Sequence, residues 1–391
     1  MDNKEHTILW EVFTGRQRPR HLRFSKSLAK MLGQNKVLVY GHKPGKLNRL
    51  KMVVGSKLRG FRGFTLNNKA VPCILHQAIN LDETPYITEF DVPLGVHSYN
   101  IKHHRRSSNE ARRLMEKDSL RAILVFSQWA KRSFELHYGQ LVGSKCHVVY
   151  PLASDYAMDL PYNSRYYDFC FISTQFRIKC GPELVNAFEK LQSHFDHEIK
   201  LCIVTDLEEA RNLLGNLDTY KGIEWRNAKL SEIEVAQLLA SSRCLVHPSL
   251  AESFGVVVLE ALASGCAIIA SNIASFPEMV RDNDNGFLIA APISTVVGDA
   301  FITEYGNASY FADYMNTLSL HLIVDELVRV MSLIVMDTEK TKEMMRQSAD
   351  LFRDRFSETT WMKCMRDILI CSFPDFKCSR VVSELLFDNG I

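Results

Sequence analysis

The chain has 391 residues, of which 46% are apolar and 24% charged, with a net charge of +2. That length carries two domains of ordinary size, and the balance is that of a folded globular protein, which excludes a disordered chain. No apolar run reaches the roughly 18 residues of a membrane span. The opening MDNKEHTILWEVFTGRQ is acidic where a secretory signal is basic, so a cytoplasmic protein is expected.

Strand-like and helix-like segments alternate along the chain. HTILWEVF reads as a strand, RHLRFSKSLAKMLG as a helix closed by Gly33, and KVLVYG as the next strand. VPCILHQAI and PYITEF follow as strands, NEARRLMEKD as a helix, AILVFS as a strand and QWAKRSFELHYG as a helix, before CHVVYP. The pattern then restarts with the strand YDFCFIS, the helix PELVNAFEKLQSHF and the strand EIKLCIVT. LEEARNLLGNL and SEIEVAQLLASS are helices, RCLVHPS is a strand, FGVVVLEALASG a helix and CAIIAS a strand. Such alternation predicts parallel sheets covered by helices. Residues 290–320 carry no periodicity and are expected to form a loop or lid, and 282–284 (DND) a turn. The expected division is 1–155, 156–355 and a helical tail, 356–391, packing back toward the first domain.

Ten cysteines invite a disulfide framework. Cys170, Cys202, Cys244 and Cys266, however, lie in or beside apolar runs, where a free thiol acts as a small hydrophobe, and a reducing compartment is expected. Cys364, Cys371 and Cys378 recur without a close Cys or His partner, so no metal site is expected.

Charge is distributed unevenly. Between Glu11 and Asp82 there is no acid, while Arg16, Arg18, Arg20, Arg23, Lys26, Lys30, Lys36, Lys43, Lys46, Arg49, Lys51, Lys57, Arg59, Arg62 and Lys69 fall there. A block of one sign repels itself and predicts an anionic partner, unless it is a solvated face balanced by acids elsewhere in the fold. The stretch lacks the stacking aromatics of a single-strand nucleic-acid binder. Peripheral contact with an anionic membrane through 16–69, or with a phosphorylated acceptor, is the expectation.

The most informative segment is HPSLAESFGVVVLEALASGCAIIAS, residues 247–271, where Glu252 and Glu260 interrupt a run that otherwise reads as core. Ligands of open parallel sheets bind beyond the carboxyl ends of strands, and RCLVHPS is such a strand. A helix starting near Ser253 would offer unpaired N–H groups and a positive dipole end to a phosphate, with Gly255 allowing close approach. Glu252 then precedes the phosphate position, and Glu260 stands roughly 12 Å further on at 1.5 Å per residue. A nucleotide sugar has the same order: hexose, diphosphate, ribose. The alternative is structural: Ser249 and Glu252 have the spacing of a capping box, and Glu260 lies exposed on the back of the helix. His247, before Pro248, either lines the donor position or caps the strand.

The whole string resembles the E-x7-E signature of retaining glycosyltransferases of the GT-B fold, the family-four group. FPEMVRDNDNGFLI extends the match, with Pro277, Glu278 and Gly286 in the family's places. FSQWAKRSFELHYG and CHVVYP are similar to the end of the family's first domain, and FRDRFSETTW to its C-terminal helix entry. In FISTQFRIKCGPELVNAF, Lys179 matches the family's lysine, while Thr174 stands in place of its arginine and Cys180 in place of its glycine. Arg177 is the nearest substitute for that arginine. The opening loop, TGRQRPRH, lacks the usual glycine pair.

The resemblance implies an α/β GT-B fold, two Rossmann-like doubly wound domains facing a central cleft, and sugar transfer from a nucleotide diphosphate donor with retention. The acceptor is expected to be a glycan or a lipid-linked molecule. Glu252, Lys179, His97 and Glu89 are the expected catalytic residues, His97 and Glu89 with Asp91 from the acceptor-side loop. Glu260, Ser253, Phe254, Gly255, Arg177, Thr174 and His247 are the expected donor-binding residues. Lys179, Arg177 and the helix start at Ser253–Gly255 would stabilise the departing diphosphate electrostatically, so no cofactor or metal is expected. An inert GT-B protein that binds a nucleotide sugar or a partner is the alternative, fed by Thr174. A dehydrogenase ranks below both, since no G-x-G-x-x-G follows an early strand.

Overall fold

The computed structural model describes residues 8–11, 19–32, 37–40, 57–66, 73–154, 156–157, 159–301 and 308–374. It divides into two compact units, Met1–Leu152 with Ser357–Ile391, and Ala153–Phe356. No helix among the described residues is long and apolar enough to cross a membrane.

The first unit is built on β1 (Ile8–Glu11), α1 (Pro19–Leu32), β2 (Val37–Tyr40), β3 (Cys73–His76), β4 (Tyr86–Phe90), α2 (Ile101–Glu116), β5 (Leu120–Val125), α3 (Gln128–Tyr138) and β6 (Cys146–Val148). Its sheet runs β2-β1-β3-β4-β5-β6 and is parallel throughout. Central strands β3 and β4 are buried along their whole length, as a sheet covered on both faces requires. Helix α2 begins eight residues earlier than its apolar pattern indicates, because Asn100 caps it by accepting from the His103 amide. Its buried seam is Ser107, Ala111 and Met115, too small and polar to register as a hydrophobic stripe. The C-terminal helix Glu358–Ser372 packs on α1, with Trp361 edge-on to Phe24 at 5.0 Å and Ser27 donating to Glu358 at 2.8 Å.

His97 is enclosed within this unit rather than open to solvent. It ends a buried 3-10 turn, Pro93–His97, and is 0% exposed. Its Nδ1–H donates to the Gly60 carbonyl at 2.8 Å, and its Nε2 lies 3.0 Å from the Tyr138 hydroxyl, which is also 3.1 Å from the Pro93 carbonyl. His104 packs edge-on against it at 5.0 Å, and His137 against His104 at 5.7 Å. The three rings pack edge to face. Burial, with the charge of neighbouring histidines, pushes His97 and His137 down to about 4, and burial lowers His104 as well. In the unfolded chain a histidine titrates near 6.5. Between these values the unfolded chain binds more protons than the folded one, so stability is full above pH ~6.5 and falls as pH drops toward 4. Melting curves at pH 7 and pH 5 should show a lower transition in acid, and a His104→Gln, His137→Gln variant should flatten that dependence. An unchanged slope in the variant would contradict the assignment.

The second unit comprises β7 (Tyr167–Ile172), α4 (Gly181–Gln192), β8 (Leu201–Thr205), α5 (Leu207–Leu214), β9 (Ile223–Asn227), α6 (Glu232–Ala240), β10 (Ser242–His247), α7 (Val256–Ala263), β11 (Ala267–Ser271), β12 (Gly286–Ile289), α8 (His321–Met336) and α9 (Thr338–Leu351). Its parallel sheet runs β9-β8-β7-β10-β11-β12, the doubly wound order. Its core gathers Phe169, Phe171, Ile203 and Val246 from the sheet, Phe176 from the segment after β7, Phe188 from α4, and Leu327 and Met331 from α8. At Gly286 a Cβ would stand 1.9 Å from the Ile268 carbonyl oxygen, so β12 can lie against β11 only with glycine there.

Two sequence expectations change here. Edge strand β9 and strand β12 are additional elements, short enough that neither shows a clear period. Residues 290–320, expected to be a loop or lid, hold a small hairpin, Val296–Val297 with Ala300–Phe301, and a helix, Ala308–Met315, among the described residues. That helix buries Phe311 and Met315 in the core, and 302–307 lie outside the described residues. The turn at 282–284 is present, with Asp282 accepting from the Leu288 amide.

Of the basic block, Arg16, Arg18, Lys36, Lys43, Lys46, Arg49, Lys51 and Lys69 lie outside the described residues. Arg23 is buried and Lys26, Lys30 and Lys57 are exposed. Nine described cysteines are free thiols, and no group of His, Cys, Asp or Glu among the described residues is arranged for a metal ion.

Candidate functional site

Strands β7 and β10 are neighbours, and the chain leaves them in opposite directions across the sheet, toward β8 and toward β11. Their carboxyl ends therefore flank the switch point, where the two following loops diverge and a ligand can enter. The loop after β7 (173–180) and the loop after β10 (248–255) are tied together by the Leu250 amide donating to the Ile178 carbonyl at 3.2 Å. Ser249 Oγ donates to the Ala251 carbonyl at 2.9 Å and knits the second loop to itself.

This junction brings together Lys179, Glu252 and His247, the first from the β7 loop and the other two from the β10 side. Lys179 Nζ donates to Glu252 Oε2 at 2.7 Å and to the Ala251 carbonyl. His247 Nε2 lies 3.3 Å from the same Oε2, and the Ser253 amide donates to Oε1 at 3.2 Å. The Lys179 and Glu252 side chains are only 10% and 15% exposed, so their attraction is little screened. Burial pushes the Glu252 carboxyl up, but Lys179 and His247 outweigh it and hold the carboxyl well below the usual range. Burial pushes the His247 imidazole down, which favours the neutral ring, and Glu252 only partly opposes that. Phe171 stacks on the ring at 6.3 Å and Phe276 meets it edge-on at 5.7 Å.

Other expected residues stand differently. Helix α7 starts at Val256 rather than Ser253, with Gly255 as its N-cap, so no capping box forms at Ser249 and Glu252. The path from Glu252 to Glu260 is thus only partly helical, and the rise of a continuous helix does not apply. Glu260 is half-buried in an otherwise apolar helix. Phe254 is 1% exposed, with its carbonyl accepting from Ser275 Oγ at 2.7 Å, so its side chain belongs to the core. Ser253 is half-buried and contributes its amide to Glu252.

Arg177 does not replace the family's arginine. Its guanidinium binds both oxygens of Glu183 at 3.0 and 2.8 Å, Asn316 Oδ1 at 2.7 Å and the Met315 carbonyl at 3.1 Å, and it is 6% exposed. Thr174 is exposed in the bend after β7. Cys180 has φ +54°, the left-handed conformation that glycine takes freely and other residues rarely, at the N-cap of α4. In the first unit, Glu89 is 4% exposed and lies 3.4 Å from His76. With Phe24, Phe126 and Trp361 it lines a small recess in that unit. Sequence reasoning gave no role to Phe171 or Phe276, whose only signals are an aromatic near the end of a strand and an aromatic before Pro-Glu.

Gly255 is required by conformation and by space. Its φ is +83°, and a Cβ would fall 2.4 Å from the Phe276 ring. Gly255→Ala should therefore push Phe276 toward His247 and cost about 2 kcal/mol or more. Calorimetry should show a transition several degrees lower, and an unchanged melting temperature would contradict this account.

Residues 160–300 match the glycosyl transferases group 1 family. That group 1 segment holds β7 to β12 and every residue of the Lys179–Glu252–His247 cluster. Among curated proteins, the chain is 35% identical over 132 residues to an N-acetyl-alpha-D-glucosaminyl L-malate synthase of Bacillus anthracis, covering 34% of each. It is 34% identical over 145 residues to an alpha-maltose-1-phosphate synthase of Mycobacterium tuberculosis, covering 35% of this chain and 37% of that one. The chain thus matches about a third of the length of these relatives. Among solved structures it is similar to Anabaena Alr3699/HepE in complex with UDP and glucose, with a TM-score of 0.61 and 14% identity over 93% of this chain and 99% of that one. WaaG, a glycosyltransferase involved in lipopolysaccharide biosynthesis, gives a TM-score of 0.61 and 13% identity over 94% and 100%. The fold is that of the GT-B glycosyltransferases: two α/β domains, each on a parallel sheet.

Proposed function

We propose that this protein is a retaining glycosyltransferase, which moves a sugar from a nucleotide diphosphate donor to a glycan or lipid-linked acceptor without a metal. The observation that carries the reading is the Lys179–Glu252 pair at the switch point of the second sheet, inside the group 1 segment. An ammonium and an ionised carboxylate side by side offer opposite ends of a donor what each needs. Lys179 is a cation for the diphosphate, whose charge grows as the glycosyl bond breaks. Glu252 is an acceptor for sugar hydroxyls. Glu260 is proposed for the ribose hydroxyls, and Glu89 for the acceptor side. UDP and glucose in the complex of Alr3699/HepE supply the ligand class. In this reading the lysine and the loop amides carry the charge that a metal carries in other transferases. Peripheral attachment to an anionic membrane through the basic 16–69 region would bring a lipid-linked acceptor within reach.

The test is product analysis. Purified protein is incubated in chelator with a panel of nucleotide diphosphate sugars and candidate acceptors, and the anomeric configuration of the product is read by NMR. Transfer with the donor's configuration supports the proposal. Inversion, or dependence on added metal, contradicts the respective part, and donor binding without transfer or hydrolysis would favour an inert binding protein.

A further inference from the structure

The Glu252 carboxylate has more holders than its pairing with Lys179 requires. Oε2 takes both Lys179 Nζ at 2.7 Å and His247 Nε2 at 3.3 Å. Because the acceptor is an ionised carboxylate, His247 must carry its proton on Nε2, which leaves Nδ1 as the bare nitrogen. Nδ1 is buried and has no hydrogen-bond partner among the described residues. Among the described residues the ring's polar contact is therefore the one to Glu252. Phe171 and Phe276 fix the plane of the ring and hence the direction of Nε2–H. Glu252 and Lys179 are the titratable groups that act on it among the described residues.

Lys179 cannot serve a donor diphosphate and keep its whole attachment to Glu252. As the ammonium turns toward the phosphates, Glu252 is left with His247 and the Ser253 amide. We propose that His247 is a positioning residue for the donor sugar: its Nε2–H keeps the Glu252 carboxylate aimed and ionised after Lys179 is drawn to the diphosphate. This rests on the donor-site reading above. The chemistry asked of position 247 is a neutral hydrogen-bond donor where Nε2 now stands. Glutamine can supply that, and a hydrocarbon side chain cannot.

The experiment compares wild type with His247→Phe, His247→Met and His247→Gln. Binding of nucleoside diphosphate alone and of the nucleotide sugar is measured by calorimetry, and transfer is followed as a function of pH. Loss of one hydrogen bond to a charged group predicts a fall in kcat/KM of roughly ten- to a hundredfold in His247→Phe and His247→Met. Burial pushes an unsupported Glu252 carboxyl up, so the acid limb of the pH–rate profile should move to higher pH in the same two variants. His247→Gln should restore most of the rate and the wild-type limb. Binding of nucleoside diphosphate alone should change less than twofold, since the donor-site reading sets the diphosphate against Lys179 and the sugar against Glu252. Should His247→Phe fail to fold, His247→Met carries the comparison. A glutamine variant as impaired as the hydrocarbon variants would mean that the ring only fills space, and would overturn the inference. Wild-type rates and pH profile in all three would overturn it too. If wild type binds no nucleotide, the donor-site reading fails first and the inference with it, and that outcome is visible before any variant is made.

Discussion

Glu252→Gln is expected to lower transfer by about two to three orders of magnitude, the usual loss when one electrostatic contact to a reacting group is removed. Glutamine keeps the shape and one acceptor oxygen, and removes the charge that Lys179, His247 and the Ser253 amide converge on. Alanine is the poorer probe. It would strand the Lys179 ammonium, whose side chain is 10% exposed, beside the Ala251 carbonyl and no carboxylate. Breaking a buried pair by removing one partner typically costs about 3–5 kcal/mol, so Glu252→Ala mixes lost stability with lost chemistry. Single-turnover rates at equal folded fraction separate the two. A glutamine variant with the wild-type rate would remove Glu252 from the mechanism.

The largest stability effect is expected away from this site. Arg165 enters just before β7, and its side chain is fully buried. Its Nε donates to the Leu160 carbonyl at 2.9 Å, Nη1 to the Ser242 and Leu239 carbonyls at 2.7 and 3.3 Å, and Nη2 to the Ser264 carbonyl at 2.7 Å and to Asp159 at 3.0 Å. One guanidinium thus ties the segment leading into β7 to the end of α6, the start of β10 and the end of α7. Arg165→Met would leave buried carbonyls without donors, at about 1–3 kcal/mol for each that water cannot reach. With two or three such groups the transition should fall by at least about 4 °C and by roughly 15 °C at the middle of these ranges, given about 2–4 °C per kcal/mol at this domain size. Arg165→Lys should be only partly better, since an ammonium cannot span the same fan of acceptors. A drop of less than ~3 °C in the methionine variant would contradict this role.

What could be read from the sequence differs between the site and its surroundings for physical reasons. The stretch 247–271 announces itself because its chemistry is local: strand, loop, acid, glycine and apolar helix follow in order, and the structure keeps that order in β10, the 248–255 loop and α7. The pairing of Lys179 with Glu252 spans 73 positions. The sequence supplies both groups, but only the adjacency of β7 and β10 makes them partners. Arg177 illustrates the opposite case. It lies two residues from Lys179, and proximity suggested a phosphate ligand, yet Glu183 one turn into α4 and the carbonyl of Met315 claim it. His97 misleads in the same way. A histidine in a loop after a strand reads as a candidate base, but Gly60 and Tyr138, far off in sequence, close around its ring. Phe254 reads as part of the site because it sits between a serine and a glycine, while the sheet draws it inward. The doubly wound second sheet was legible from alternation of strand and helix, and its edges were not, because β9 and β12 are too short to show a period.

The most direct test of the central claim is thermal stabilisation of the wild-type protein by a panel of nucleoside diphosphates and their sugars, in chelator, beside Glu260→Ala. The account predicts stabilisation by one base in preference to the others, which persists in chelator and is lost in the variant. A flat response across the panel at millimolar ligand would contradict it, and would leave the Lys179–Glu252 pair as a structural contact in a protein that shares the fold without the reaction.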